Sequence, residues 1–328
     1  MTAGPPERKP RVRLPHDRRA GPHLPIGHGL LKAADRAAGI GAWTLQIFSD
    51  NPTAWRRRSE APAEAAAFKA RMAELDLGPL SIHASYLINL AGSDQALYER
   101  SVEVLRQELL AAPAFGARFV NVHAGSHRGG GVEVGIARLV DGLSAALGDV
   151  AAGREAPLVV VENSSGGGDA IGVTIEQLAS IDLLLRDRGL GSRTGFCLDT
   201  AHLWGAGYDI SRPDEIDRLL DEFDREIGLE RLAMIHLNDT TSSLGSRHDR
   251  HIHLGDGRIG EAGLGHFIRH EALRRAAFYF ETPGMEHGFD ALNLARIADL
   301  AESRPLTSPE ELGLTATPAA SSRTPARP

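Results

Sequence analysis

The chain has 328 residues, 42% hydrophobic and 24% charged, the mixture of a globular protein rather than a fibrous or disordered one. A lone cysteine, Cys197, excludes an internal disulfide framework and fits a reducing cytoplasm, and no apolar run approaches the ~20 residues of a membrane span. A net charge of −7 argues against a general nucleic-acid binder, although any bound cations belong in that sum.

Residues 1–17 (MTAGPPERKPRVRLPHD) are rich in proline and charge and read as a disordered tail. Six Lys or Arg against two acidic residues in the first 19 could add non-specific phosphate affinity, although such a tail is more often merely solvated. The following AGPHLPIGHGLL is too short and broken for a signal sequence. A weak strand at 19–24 (RAGPHL) precedes stronger ones at 44–48 (TLQIF), 81–85 (SIHAS), 119–124 (FVNVHA), 158–163 (LVVVEN), 195–200 (GFCLDT), 233–239 (AMIHLND) and 278–283 (FYFETP). Each is a short, nearly continuous apolar run, the pattern of a strand buried on both faces.

Helical periodicity separates them at 29–41, 62–78, 93–112, 131–150, 174–189 and 212–228. Thr174 and Gln177 have capping-box spacing, and Gly78 and Gly189 stand where helix C-caps are expected. Residues 305–328 form a Pro/Ser/Thr/Ala tail. Eight alternating units within 18–304 predict an α/β protein, a single-domain (β/α)8 TIM barrel. An open doubly wound sheet fits less well, because no strand leads into a GxGxxG turn.

Six strands end in a residue suited to a cation: His83, His123, Glu162, Asp199, His236 and Glu281. In a barrel those C-terminal ends converge on one face. Buried imidazoles and carboxylates crowded together are costly unless something cationic holds them, so the pattern predicts a metal centre. Imidazole plus carboxylate without thiolate suits Zn, Mn or Fe, and six ligands exceed the needs of one tetrahedral zinc. His202 lies three residues beyond Asp199, and SRHDRHIHLGDG (246–257) adds Asp249 and His251. In an extended segment Asp249, His251 and His253 point one way, placing His253 behind the ligands and His248 toward solvent. Nine residues could then supply three metals.

The stretches HASYLINLAG, VNVHAGS, VVENSSGGG, GFCLDTAHLWGAGYD, IHLNDTTSSLGSRHDRHIHLGDGRIG and FETP resemble, in order and context, the motifs of endonuclease IV, the zinc-dependent apurinic/apyrimidinic endonucleases (AP endonuclease family 2). The resemblance spans residues 19–300 and implies a (β/α)8 barrel with three Zn2+, Mn2+ being an alternative at one site. It assigns His83, His123 and Glu162 to the first ion. Glu162 bridges to a second, completed by Asp199, His236 and Glu281, and places the nucleophilic hydroxide. His202, Asp249 and His251 hold the third. The implied reaction is hydrolysis of the DNA phosphodiester 5′ to an abasic site, leaving a 3′-hydroxyl and a 5′-deoxyribose phosphate, with trimming of blocked 3′ ends. The partner is double-stranded DNA and the enzyme is expected to be a cytoplasmic monomer.

Tyr86 and Leu87 match residues that enter the minor groove in this family, and Arg250 is a further candidate DNA contact. Thr53 stands where a third such position is often arginine, and Arg56, Arg57 and Arg58 just beyond it read as a solvated helix start. Ala124 replaces a usual proline, a change not expected to move His123. Glu162, Asp199, His236 and Glu281 alone would suit a one-metal sugar isomerase or epimerase, which has no use for the other five ligands. A non-catalytic DNA-binding derivative of the fold is the remaining rival.

Overall fold

The computed structural model describes residues 10–315 apart from positions 59 and 154. In chain order the strands are β1 (Ala20–Pro22), β2 (Leu45–Ile47), β3 (Leu80–His83), β4 (Ala117–His123), β5 (Leu158–Glu162), β6 (Thr194–Asp199), β7 (Leu232–His236), β8 (Asp239–Thr240), β9 (His251–Ile252) and β10 (Ala277–Phe280). The helices are α1 (Leu30–Ile40), α2 (Ala65–Glu74), α3 (Gln95–Phe115), α4 (Val132–Gly148), α5 (Ile175–Asp187), α6 (Thr200–Ala206), α7 (Pro213–Glu226), α8 (Gly260–Arg269) and α9 (Phe289–Glu302). None of the described helices is long and apolar enough to cross a membrane.

Eight parallel strands run in the order β1-β10-β7-β6-β5-β4-β3-β2. The two ends meet through one parallel bridge, His23 to Gln46, and through Leu24 N–H donating to Gln46 O at 2.9 Å. Helices α1, α2, α3, α4, α5, α7, α8 and α9 pack in a ring around them, and α9 returns to α1. The predicted (β/α)8 barrel is therefore the fold. Gly21 is required where β1 and β2 close, because a Cβ there would lie 1.8 Å from Thr44 O.

Side-chain alternation accounts for the layering. Val120, Val122, Val159, Val161, Phe196 and Leu198 face outward and are buried under the helices. Phe119, Val160, Cys197, Met234 and Tyr279 face inward and form a separate apolar plug. Two residues further along the same strands come Asn121, Glu162, Asp199, His236 and Glu281, so the inward phase that fills the barrel also aims a polar layer at its mouth.

Several expectations need correction. Helix α2 is closed by Asp76 (φ 46°), with Leu77 N–H donating to Met72 O at 2.9 Å, so Gly78 is not its cap. Gly189 does take the left-handed conformation (φ 71°) after α5. At the start of α5, Thr174 accepts from Gln177 N–H, but Gln177 reaches back to Val173 N–H rather than to Thr174. Residues 10–17, expected to be tail, are packed: Leu14 is buried and Trp43 donates to Val12 O at 2.6 Å. Thr307 likewise hydrogen-bonds Asp299, carrying the ordered chain past 304. Residues 1–9 and 316–328 of the expected tails lie outside the described residues.

Candidate metal centre

Glu162 sits at the centre of the mouth and is fully buried. Its Oε2 lies 3.7 Å from His83 Nε2 and 3.6 Å from His123 Nε2. Its Oε1 lies 3.3 Å from His236 Nδ1 and 3.2 Å from the His202 ring. His236 Nδ1 also faces Glu281 Oε2 at 3.6 Å and Asp199 Oδ2 at 3.8 Å. Helix α6 begins on Asp199, whose Oδ1 accepts from His202 N–H at 3.0 Å, and this cap turns the His202 ring into the mouth.

The β8–β9 pairing, Asp239 with Ile252 and Thr240 with His251, brings the loop after β7 back across the opening. Asp249 is 45% exposed at its rim, yet its carboxylate reaches His202 Nε2 at 3.2 Å and His251 Nε2 at 2.9 Å. Ligand-type atoms of His83, His123 and Glu162 lie within 4.8 Å of one another, as do those of Asp199, His236 and Glu281, and those of Asp199, His202 and His251.

The unused ring nitrogens determine what the rings can do. His83 Nδ1 donates to Ala84 O (2.7 Å), His202 Nδ1 to Asn163 O (2.9 Å) and His251 Nδ1 to Glu281 O (3.0 Å). Each bond keeps a proton on Nδ1 and presents Nε2 to the carboxylates, so that Nε2 is the nitrogen a metal could take. His236 is reversed: Nε2 donates to Gln46 Oε1 at 3.2 Å, leaving Nδ1 free. His236 Nδ1, His251 Nε2 and Glu162 Oε1 are buried without a hydrogen-bond partner. Buried, unpartnered ring nitrogens and a carboxylate oxygen among four carboxylates fit divalent cations, which would take the place of any proton on those nitrogens while the far-side hydrogen bonds stay as they are.

The electrostatics have the same sense. Burial pushes Glu162 up, but His236 and His123 outweigh it and hold the carboxyl well below its ordinary range. Burial lifts Asp199 above its ordinary value despite His202 and His251. Burial opposes protonation of His202 and His251, yet the flanking carboxylates raise His202 well above normal and His251 to about 10. His83, dominated by burial, falls to about 4. The cluster therefore balances its carboxylates with imidazole protons, which metal binding would displace. Cys197 lies near Glu162 and His236, but burial lifts its thiol to about 11 and it remains protonated.

A cavity of about 370 Å3 opens above these groups, lined among others by His23, Phe48, Tyr86 and Met285. Tyr86 is 57% exposed at the rim, with its ring 5.1 Å from that of Phe48 and 5.6 Å from that of His83. Leu87 beside it is half-buried. Thr53 is exposed, both its N–H and hydroxyl donating to Asn51 Oδ1, and Arg250 is exposed with no ion pair among the described residues. The solvated helix start is not what forms at 56–58: the helix that follows β2 begins only at Ala65. Arg57 is buried, 3.2 Å from the equally buried Glu108 of α3, because that carboxylate needs a counter-charge. His248 is exposed as expected. His253 turns instead toward α9, stacking on Phe289 at 4.6 Å with its Nδ1 3.1 Å from Asn293 Nδ2. Ala124 donates its N–H to Glu162 O at 3.2 Å, a bond that proline could not make.

Residues missed in the sequence complete the shell. Gln46 Nε2 donates to Glu281 Oε1 at 2.7 Å while its Oε1 accepts from His236, and His23 Nδ1 donates to the same Glu281 oxygen at 2.8 Å. Asn121 donates to Glu162 Oε2 at 2.5 Å and Asn238 to Asp199 Oδ2 at 2.7 Å. A polar residue at an inward position of an apolar run, as in TLQIF, was the available signal.

Comparison with known proteins places the chain in two steps. A family model described as a xylose isomerase-like TIM barrel matches residues 34–304, and a D-tagatose 3-epimerase-like protein shares the fold at a TM-score of 0.61 and 14% identity, covering 87% of this chain and 97% of that one. The probable endonuclease 4 of Halothermothrix orenii is 38% identical over 281 residues, 85% of this chain and 99% of its own length. The crystal structure of endonuclease IV from Thermus thermophilus superposes with a TM-score of 0.75 at 38% identity, covering 87% of this chain and 99% of that one. The chain belongs to the endonuclease IV family.

Proposed function

We propose that this protein hydrolyses the DNA phosphodiester 5′ to abasic sites in base excision repair, leaving a 3′-hydroxyl and a 5′-deoxyribose phosphate, and that it also trims blocked 3′ ends. The observation that carries the reading is the mouth cluster, where five histidine rings and four carboxylates converge and His236 Nδ1, His251 Nε2 and Glu162 Oε1 are left without a hydrogen-bond partner. A one-metal isomerase leaves His83, His123, His202, Asp249 and His251 without a task.

In this proposal His83, His123 and Glu162 hold one zinc ion, Glu162, Asp199, His236 and Glu281 a second, and His202, Asp249 and His251 a third, with manganese an alternative at one position. Zinc there makes water nucleophilic near neutral pH and offsets the charge of the attacked phosphodiester. Glu162, whose two oxygens face different histidines, would contribute to holding two of the ions and to orienting the attacking water. His202, buried beneath the rim, and Asp249 on it, 3.2 Å apart, would stabilise charge on the leaving 3′ oxygen. Tyr86 and Leu87 occupy the gap left by the displaced sugar, with Thr53 and Arg250 flanking the duplex. The protein acts as a cytoplasmic monomer.

The test is incision of an end-labelled duplex carrying one abasic-site analogue, beside an undamaged control, before and after zinc is stripped and restored. Zinc-dependent cutting 5′ to the lesion with the control intact is expected. A zinc-loaded protein that leaves both duplexes whole would overturn the assignment, and binding without cutting would point to a non-catalytic derivative.

A further inference from the structure

The two loops that carry Thr53, Tyr86 and Leu87 are held from beneath by one buried ion pair. The Arg57 side chain, 3% exposed, donates from Nη1 to Asn51 O at 2.6 Å and sets Nη2 3.2 Å from Glu108 Oε1. Glu108 stands on α3, is as deeply buried, and also accepts from the Ser85 backbone N–H. Ser85 in turn donates its hydroxyl to Pro52 O at 2.6 Å and accepts from Leu87 N–H at 3.3 Å. Asn51 and Pro52 immediately precede Thr53, and Ser85 immediately precedes Tyr86. One run of polar contacts therefore ties both loops to the same carboxylate on a long helix.

Packing does not account for this arrangement. A groove of about 630 Å3 opens between Trp55 and Arg56 of the loop after β2 and Glu99 and Arg100 of α3, so the loop is not pressed against the helix along that side. Arg57 Nε and Glu108 Oε2 are buried without a hydrogen-bond partner. A buried ion pair is seldom more stabilising than apolar side chains of the same volume, and one left partly unsatisfied is less so. What the pair supplies is direction, because a planar guanidinium can hold a carbonyl and a carboxylate at once and at fixed angles. Within the loop, Arg58 N–H donates to Asp50 Oδ2 at 2.9 Å and Thr53 N–H to Asn51 Oδ1 at 3.0 Å. Those bonds fix the loop's shape, and the link to Glu108 fixes its place relative to Tyr86.

We infer that Arg57 and Glu108 are positioning residues for DNA recognition, setting the loop after β2 and the loop after β3 at the spacing the duplex meets. This rests on the proposed incision at abasic sites. Steady-state kinetics of the zinc-loaded protein on the abasic duplex test it. The double variant Arg57→Met/Glu108→Gln removes the grip on Asn51 without stranding a buried charge, and it keeps an acceptor for Ser85. Its KM should rise about tenfold, the loss expected from one charge-assisted hydrogen bond, with kcat within about twofold of wild type and zinc content unchanged. Arg57→Lys keeps the charge opposite Glu108, but a single ammonium does not reproduce the fork. Its KM should rise about fivefold, where a role confined to charge balance would leave it unmoved, and this variant decides should the double variant fail to fold. An active wild type beside a folded variant with unaltered KM, or with lost zinc, overturns this inference alone. A zinc-loaded wild type inert on the abasic duplex would overturn the underlying reading and this inference with it.

Discussion

Among the described residues histidine and carboxylate cluster in two places, and these differ in whether the ring Nδ1 accepts from the backbone or donates to it. On the outer surface Asp217 of α7 lies 2.6 Å from His266 Nε2 and 3.2 Å from His270 Nε2, where α8 ends. Three ligand-type groups meet there, as they do at the mouth. But His270 Nδ1 accepts from Ala272 N–H at 3.2 Å, so its proton belongs on Nε2, pointing at Asp217. That arrangement is a closed hydrogen-bonded seam between two helices. At the mouth the backbone carbonyls accept from Nδ1, so Nε2 can give up its proton to a metal without disturbing the bond on the far side of the ring. Residue types alone do not distinguish the two sites, whereas the partner on the far side of each ring does.

The largest effect should come from Glu162→Gln, which keeps the shape of the bridge but halves its ligating capacity. We expect loss of zinc at two positions by elemental analysis and a fall in incision of about 10²–10³ or more. His202→Ala should retain most of its affinity for abasic duplex in a gel-shift assay and lose about 10²-fold in cutting, and equal losses in both assays would break the proposed division of labour. Gln46→Leu leaves every ligand in place yet removes the acceptor that fixes the His236 tautomer. Chelator competition should show zinc held about 10–100-fold less tightly, and an unchanged affinity would mean that the far-side partner does not matter.

The smallest effect belongs to the outer seam. Hydrogen bonding to His266, more than any other influence, holds the Asp217 carboxyl below its ordinary range. A carboxyl lowered on folding contributes stability above its unfolded value of ~3.9, and that contribution fades as pH falls through the folded value. Asp217→Asn should therefore lie below the wild type by about 0.2–1 kcal/mol at neutral pH, with the two curves merging in acid. Its zinc content should not change. Loss of a zinc equivalent would make the seam a metal site and erase the contrast drawn above.

The sequence was most legible where one phase of alternation served both packing and chemistry. Val160 and Glu162, or Met234 and His236, share the inward face of a strand, so a strand recognised from its valines or leucines also placed its ligand. Legibility failed where the local pattern was weak. β1 and β2 have three residues each, so the polar Gln46 within β2 and His23 just past β1 carried a weaker signal than the ligands at the ends of longer strands. Helix α8 (GEAGLGHFIR) went unread because its glycines lower helix propensity. Gly263 nevertheless has to be glycine, since a Cβ would come within 2.0 Å of Ile210 O. In α9 the buried Asp290, Asn293, Arg296 and Asp299 blur the apolar stripe. Arg57 looked solvated because its partner, Glu108, lies 51 positions away in the chain.

One joint of the barrel has a consequence for how the protein would come apart. The seam between β1 and β2 is fastened by the His23–Gln46 bridge and by Trp43 N–H donating to Ala20 O at 3.0 Å, and His23 and Gln46 also grip Glu281 and His236. Zinc bound at those ligands would act as a rivet across the weakest seam of the wall. Stripping it should first appear as faster amide exchange at Leu24, whose N–H crosses that seam to Gln46, while amides between β4 and β5 keep their protection. Retention of the metal and integrity of the cylinder would then be one event seen from two sides.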